Sequence, residues 1–318
     1  MPLLWGAFFS ILMVGGVGWL GPGVAFVLPG GGERGGGGPT SGQGPGSGSG
    51  VALSAKGVRG GGAASDTAEV EIDPRVGAFL QAYRPLIDSV IFEEDDVIFT
   101  MAGHPIHFQD GRMLGEERLD QVDEFDPIFY DYPLERLVSP LPLTDLPTYS
   151  TDYFEALFGR TEDQVRSHCR SISFLDHNLF VNTLILEPLR GVEREIREAA
   201  AWDPEVVRWL EEMDVAYSFI FRDIAKSQTR SLHGFGLAVD LVPRSYGGRH
   251  VYWQWSRVLD REGWYRIPLS QRWSPPQPVI EAFEHHGFVW GGKWSRFDTV
   301  HFEYRPEILL YNQAQAKD

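Results

Sequence analysis

Apolar positions along the chain fall into three regimes. Leu3 to Leu28 is an apolar run with no charged side chain. As a helix it is long enough to span a bilayer, for which about 20 apolar residues suffice. It reads either as a secretory signal, with Gly23 and Ala25 as the small residues before a cut, or as a retained membrane anchor. No Lys or Arg stands near Met1, so both readings stay open. From Gly30 to Gly62 the apolar pattern lapses, and this stretch holds 16 of the 36 glycines. Such a segment buries too little surface to offset its ordering entropy, and it reads as a flexible tether. Its G-x-G spacings lack a preceding strand and a following helix, which argues against a phosphate-binding loop. Periodic patterns begin near Asp66 and run to the end. The expected organisation is a signal or anchor at 1–29, a Gly/Ser-rich linker at 30–66, an extension of unassigned role at 67–150, and a domain bearing the candidate chemistry at 151–318.

Asp73-Pro74 predicts a capped helix start, and Val76, Phe79, Leu80 and Tyr83 then follow the i, i+3, i+4, i+7 spacing of one helix face. Val90–Phe92, Val97–Met101 and His104–Gln109 predict strands, with a turn at Asp110-Gly111. Glu93–Asp96 and Glu116–Asp126 read as solvated acidic surface. Pro140, Pro142 and Pro147 mark an irregular connection. Thr161 and Gln164 have capping-box spacing and predict a helix through Cys169. Strands are expected at 172–174, 179–181 and 215–221. Helices are expected over Leu189–Ala199 and from Asp203-Pro204 to about Met213. Helices and short strands in separate runs predict an α+β fold.

Charge and cysteine content narrow the chemistry. Lys plus Arg is 28 against 44 Asp plus Glu, a formal net charge of −16, which disfavours nucleic acid as a partner. The single cysteine, Cys169, excludes an intrachain disulfide and a multi-thiolate zinc site. Any metal must be held by His, Asp or Glu. His233 and Asp240 stand seven apart, an odd separation that would place them on opposite faces of a continuous strand. Gly234 and Gly236 allow the bend that brings them together. Val300–Tyr304 reads as a strand with His301 and Glu303 on one face, and Asp298 lies just before it. Two imidazoles and a carboxylate suit zinc with one position left for water. A further carboxylate, Asp298, is placed to act as general base and then acid. His104, His107, His168, His177, His250, His285 and His286 read as ordinary surface or core residues.

The run Ser231-Leu232-His233-Gly234-Phe235-Gly236-Leu237-Ala238-Val239-Asp240 resembles the S-x-H-x-x-G-x-A-x-D signature of the zinc D-alanyl-D-alanine carboxypeptidase family, which includes VanX and VanY types and phage L-alanyl-D-glutamate endopeptidases. Asp298 to Glu303 is similar to that family's second signature. The resemblance implies a hedgehog/D-Ala-D-Ala-peptidase-like fold, a small antiparallel sheet with flanking helices. It implies zinc ligands His233, Asp240 and His301, with Asp298 as catalytic acid/base. Residues 217–222 resemble the family strand ending in an arginine that stabilises the oxyanion, which points to Arg222, with Arg230 as a weaker alternative. Here Phe219-Ile220-Phe221 replaces the more usual Ser-Gly-Tyr. Glu303 and Ser231 are candidates for orienting the ligands. The block Gly287–Trp294 is similar to the endopeptidase branch, although VanX and VanY types carry Glu where Asp298 stands. The implied activity is cleavage within peptidoglycan stem peptides outside the cytoplasm. The alternatives are a D,D-carboxypeptidase or a non-catalytic binding module using the same zinc fold. Trp290, Trp294, Tyr252, Trp253 and Trp255 read as core or groove wall.

Overall fold

The computed structural model describes residues 52–55, 72–93, 96–224 and 229–317. The apolar run at 3–28, with the signal-or-anchor reading attached to it, and most of the glycine-rich stretch lie outside the described residues. The described residues fall in one compact unit, Ser49–Asp318. Among them no helix is long and apolar enough to cross a membrane.

Strand β1, Ala52–Ala55, lies inside the stretch expected to be a tether. It pairs in parallel with the edge of β2, Ser89–Phe92. It falls in a run without glycine, and a free sheet edge offers such a run its backbone partners. Helix α1, Pro74–Tyr83, is capped by the Asp73 side chain and buries Val76, Ala78, Phe79 and Tyr83. Strands β3 (Val97–Met101), β4 (His104–Gln109) and β5 (Arg112–Gly115) extend the sheet as antiparallel hairpins. Their two-residue turns, Ala102-Gly103 and Asp110-Gly111, hold both residues at positive φ, the geometry that matches the twist of the strands they join. The sheet is therefore mixed rather than wholly antiparallel. Asp96 departs from the expected acidic surface, since its side chain is largely buried against His107 Nδ1 at 2.5 Å.

After an irregular stretch come α2 (Asp152–Phe158) and α3 (Glu162–Ser167), the latter with the expected capping box. Helix α3 stops short of Cys169, which instead opens β6 (Cys169–Phe174) in a hairpin with β7 (His177–Asn182). Helices α4 (Leu186–Ala200) and α5 (Pro204–Glu212) follow. The second sheet is antiparallel in the order β10-β11-β9-β8. Its strands are β8 (Met213–Tyr217), β9 (Ala238–Pro243), β10 (Phe288–Trp290) and β11 (His301–Tyr304). Helices α6 (Trp253–Leu259), α7 (Gln277–His285) and α8 (Pro306–Gln315) complete the chain. Strand β8 ends at Tyr217, four residues before the expected end. Ser218 leaves the ladder, its hydroxyl donating to the Ala238 carbonyl at 2.8 Å and its own carbonyl facing His233.

One core spans the N-terminal and C-terminal portions. Rings run from Phe79 of α1 through Tyr153 (5.4 Å) and Phe154 (4.1 Å) to Phe235 (5.5 Å). Phe235 lies in the 3-10 turn Leu232–Phe235 that carries His233. A smaller core of Trp253, Trp264, Ile267 and Phe297 lies apart from it.

Candidate metal centre

The 3-10 turn ends at Gly236, in the left-handed conformation at φ 68°. That reversal sets His233 beside Asp240 on β9, as the two glycines led the sequence reading to expect. The His233 Nδ1 lies 2.6 Å from the Ser218 carbonyl. A carbonyl only accepts, so Nδ1 carries a proton and Nε2 faces inward toward Asp240 and His301. Asp240 and His301 are directly opposed on β9 and β11, a register that places their side chains within contact. His233 Nε2 is 3.1 Å from Asp240 Oδ1 and 3.2 Å from His301 Nδ1, and His301 Nδ1 is 2.9 Å from the same Asp240 oxygen. One donor atom from each residue falls within 4.8 Å of the others. No other group of three or more such side chains among the described residues is so placed. His301 Nε2 points away to Glu303 Oε2 at 3.2 Å.

Electrostatics bind the cluster together. Burial alone would raise the Asp240 carboxyl, but His233 and His301 hold it well below the usual carboxylate range. Burial would depress His301, yet Asp240 and Glu303 raise it to about 10. Three potential ligand atoms thus converge on one point, and two imidazoles with one carboxylate suit zinc.

Asp298 sits one turn before β11. Burial, and next the negative charge of Asp240, push its carboxyl up to about 7 against the pull of His301 and His233. Its Oδ1 is buried without a hydrogen-bond partner. Asp298 pairs across an isolated bridge with Tyr252, flanked by hydrogen bonds from Trp253 N to Phe297 O and from Thr299 N to Val251 O, both 2.9 Å. That pattern defines a non-hydrogen-bonded antiparallel pair, the type whose side chains stand closest. Tyr252 is pushed up to about 12 by burial and the charge of Asp298, with Arg222 pulling the other way. Tyr246 is likewise raised to about 12 by burial, Asp298 and Asp240. Both phenols therefore lie within electrostatic reach of Asp298 and Asp240. The sequence reading left Tyr252 as core or groove wall and passed over Tyr246. Only the bridge to Asp298, distant along the chain, reveals the first, and no local signal marks the second.

Arg222 is exposed and lies beyond the end of β8 rather than at a strand terminus. Its charge nevertheless acts on Tyr252. Arg230 is engaged elsewhere, its guanidinium 4.6 Å from the Phe221 ring centre and 5.4 Å from that of Phe235, and 3.6 Å from both Glu155 and Asp223. Ser231 is buried and serves the turn, its N–H donating to the Arg222 carbonyl and its carbonyl accepting from Gly234 N. Trp290 is core, with its indole N–H on the Thr299 carbonyl. Trp294 lies against the centre, its ring 5.4 Å from that of His301. Trp253 is core and Trp255 is exposed. His285 and His286 both bond to Glu195, and His250 bonds to Ser256.

Residues 225–304 match a family described as D-alanyl-D-alanine carboxypeptidase. The span holds both motifs and bears out the resemblance drawn from them. No solved structure matches the chain.

Proposed function

We propose, from the match of residues 225–304 to the D-alanyl-D-alanine carboxypeptidase family, that this protein is a zinc-dependent hydrolase of peptidoglycan stem peptides. The observation that carries the reading is the convergence of His233, Asp240 and His301 within 4.8 Å, with the buried carboxylate of Asp298 beside them. His233 Nε2, Asp240 Oδ1 and His301 Nδ1 would hold the ion. Bound there, zinc supplies Lewis acidity that polarises the scissile carbonyl and acidifies water. Asp298 accepts the proton of the attacking water and then delivers it to the leaving amine, a task suited to a carboxyl held near neutrality. Arg222 and the Tyr252 phenol supply a cation and a donor for the charge that develops on the carbonyl oxygen.

Within this reading the Gly287–Trp294 block favours an L-alanyl-D-glutamate-type endopeptidase. The family description favours the second reading, a D,D-carboxypeptidase. Its place would be the cell envelope outside the cytoplasm, with residues 3–28 as signal or tether. The test is mass spectrometry of peptidoglycan digested by the wild type beside Asp298→Asn, with metal analysis of both. The expected outcome is stem-peptide cleavage by the wild type, and a loss of about 10²–10⁴-fold in kcat for the variant with its metal retained. Release of D-Ala alone would select the second reading. Absence of stoichiometric zinc, or an undiminished Asp298→Asn, would end both.

A further inference from the structure

The strand that delivers His301 continues into a line of buried charges. Glu303 follows at i+2, Arg305 at i+4, and Glu307 opens α8. Arg305 and Glu307 are both 0% exposed. Ionised groups this deep are costly unless each has a partner, and here each has one in sequence. His301 Nε2 is 3.2 Å from Glu303 Oε2, and Glu303 Oε1 forms an ion pair with Arg305 Nη1 at 3.5 Å. Arg305 Nε donates to Glu307 Oε1, and the Tyr83 hydroxyl donates to Glu307 Oε2 at 2.7 Å. Arg305 Nη2 donates to the Ile128 carbonyl at 2.8 Å, and the guanidinium lies 5.1 Å from the Tyr149 ring centre. Tyr83, Ile128 and Tyr149 all come from the portion before residue 151, outside the span that matches the family.

A buried ion pair is weak evidence for stability, because apolar residues of similar volume often serve as well. Its value here lies in where it ends. A histidine ligand holds its orientation through the hydrogen bond of its second ring nitrogen. Glu303 supplies that bond to His301, but a glutamate side chain has several rotamers. Arg305, always charged and planar, favours one of them by its charge, with Nη1 3.5 Å from Glu303 Oε1. Glu307 and the Ile128 carbonyl in turn hold the guanidinium, and Tyr83 holds Glu307.

We propose that Arg305, Glu307 and Tyr83 are positioning residues for the metal centre: they fix Glu303 against His301 Nε2, so that His301 presents Nδ1 toward Asp240 and His233. The N-terminal portion thereby tunes metal affinity at a site to which it gives no ligand. The inference rests on reading His233, Asp240 and His301 as a metal site.

The test uses the full chain. Zinc affinity is measured by competition with a chelating dye, and the visible spectrum of the cobalt(II)-loaded protein is recorded. Glu303→Gln is expected to lower zinc affinity by roughly 10–100-fold, as loss of such a partner does. Tyr83→Phe and Arg305→Lys are expected to lower it less, in the same direction, with an altered cobalt band. Val206→Ala, which empties a buried position of α5 away from α1 and the relay, is expected to lower Tm and leave both readouts unchanged. A folded Tyr83→Phe with wild-type zinc affinity and cobalt spectrum overturns the inference, whatever its Tm. If Arg305→Lys does not fold, Tyr83→Phe decides, since it removes one hydroxyl. A wild type without stoichiometric zinc, or a His301→Ala that binds like the wild type, removes the metal-site reading and this inference with it. A metal-binding wild type with silent relay variants removes the inference alone.

Discussion

Cys169 shows how burial acts on one side chain. Its thiol is enclosed, with Sγ 3.4 Å from the Val165 carbonyl, and burial pushes it up to about 11 against the charges of Arg166 and Arg170. The folded value exceeds the ordinary one of 9.0, so the contribution to stability is complete below pH 9 and is lost as pH rises from 9 to 11. At about 1.4 kcal/mol per unit, that limb amounts to roughly 1–3 kcal/mol. Denaturant melts across this window should show the fall in wild type and a flatter profile in Cys169→Ser. A thiol reagent at pH 8 should label the native protein slowly and the unfolded protein fully. Tyr252 carries a second prediction at this scale. Tyr252→Phe keeps the ring and removes the donor beside Asp298, so kcat should fall by about tenfold or more with metal content unchanged. An unchanged kcat would place the phenol away from the reacting atoms. His233, Asp240, His301 and Asp298 could be picked out as candidates because each sits in a short motif with its neighbours. Tyr252 and Tyr246 could not, because their roles depend on which distant segment each lies against.

Element starts were easier to read than element ends. Asp73-Pro74, Asp203-Pro204 and the Thr161–Gln164 box all open helices where their cap chemistry predicts. Ends depend on tertiary partners. Cys169 leaves α3 for β6 because Asn182 offers it a ladder partner. Strand β8 stops early because Ser218 turns its carbonyl to His233, which trades a sheet position for a hydrogen bond that sets the imidazole. The sharpest local requirement lies at Gly236. Its φ is 68°, and a Cβ there would stand 2.9 Å from the backbone nitrogen of Asn182 and 3.1 Å from Cys169 Sγ. Gly236→Ala therefore adds backbone strain of about 1–2 kcal/mol to a steric conflict with main chain that cannot step aside. The variant should lose several degrees in Tm and bind zinc more weakly than the wild type, since the same turn sets the distance from His233 to Asp240. Wild-type zinc affinity at a lowered Tm would show that the turn supports the fold without setting the site.

For the molecule as a whole, the sequence left the role of residues 67–150 open, and buried contacts tie them to the C-terminal portion. Beyond the relay, Asn312 Oδ1 accepts from Tyr132 N at 3.0 Å and its amide donates to the Tyr130 carbonyl at 3.0 Å. The Tyr132 hydroxyl donates to Glu284 and accepts from Trp290 N, and the buried Lys293 donates to the Leu134 carbonyl. A chain beginning at residue 151 would leave Glu307, Arg305, Asn312, Glu284 and Lys293 each short of a partner. Such a chain gives up about 0.5–1.5 kcal/mol net for each hydrogen bond lost. It would also expose the apolar faces that α1 and the first sheet cover, including those of Phe154 and Ile308. None of this was legible in residues 67–150, because their apolar periodicity shows that they bury a face without showing what the face is buried against. The expected result is that residues 49–318 melt in one cooperative transition with a strong near-ultraviolet circular dichroism signal. Residues 151–318, produced alone, should be insoluble or lack that signal, with or without zinc. A soluble 151–318 fragment that melts cooperatively and binds zinc as the longer chain does would show that the C-terminal portion folds and assembles its metal centre unaided.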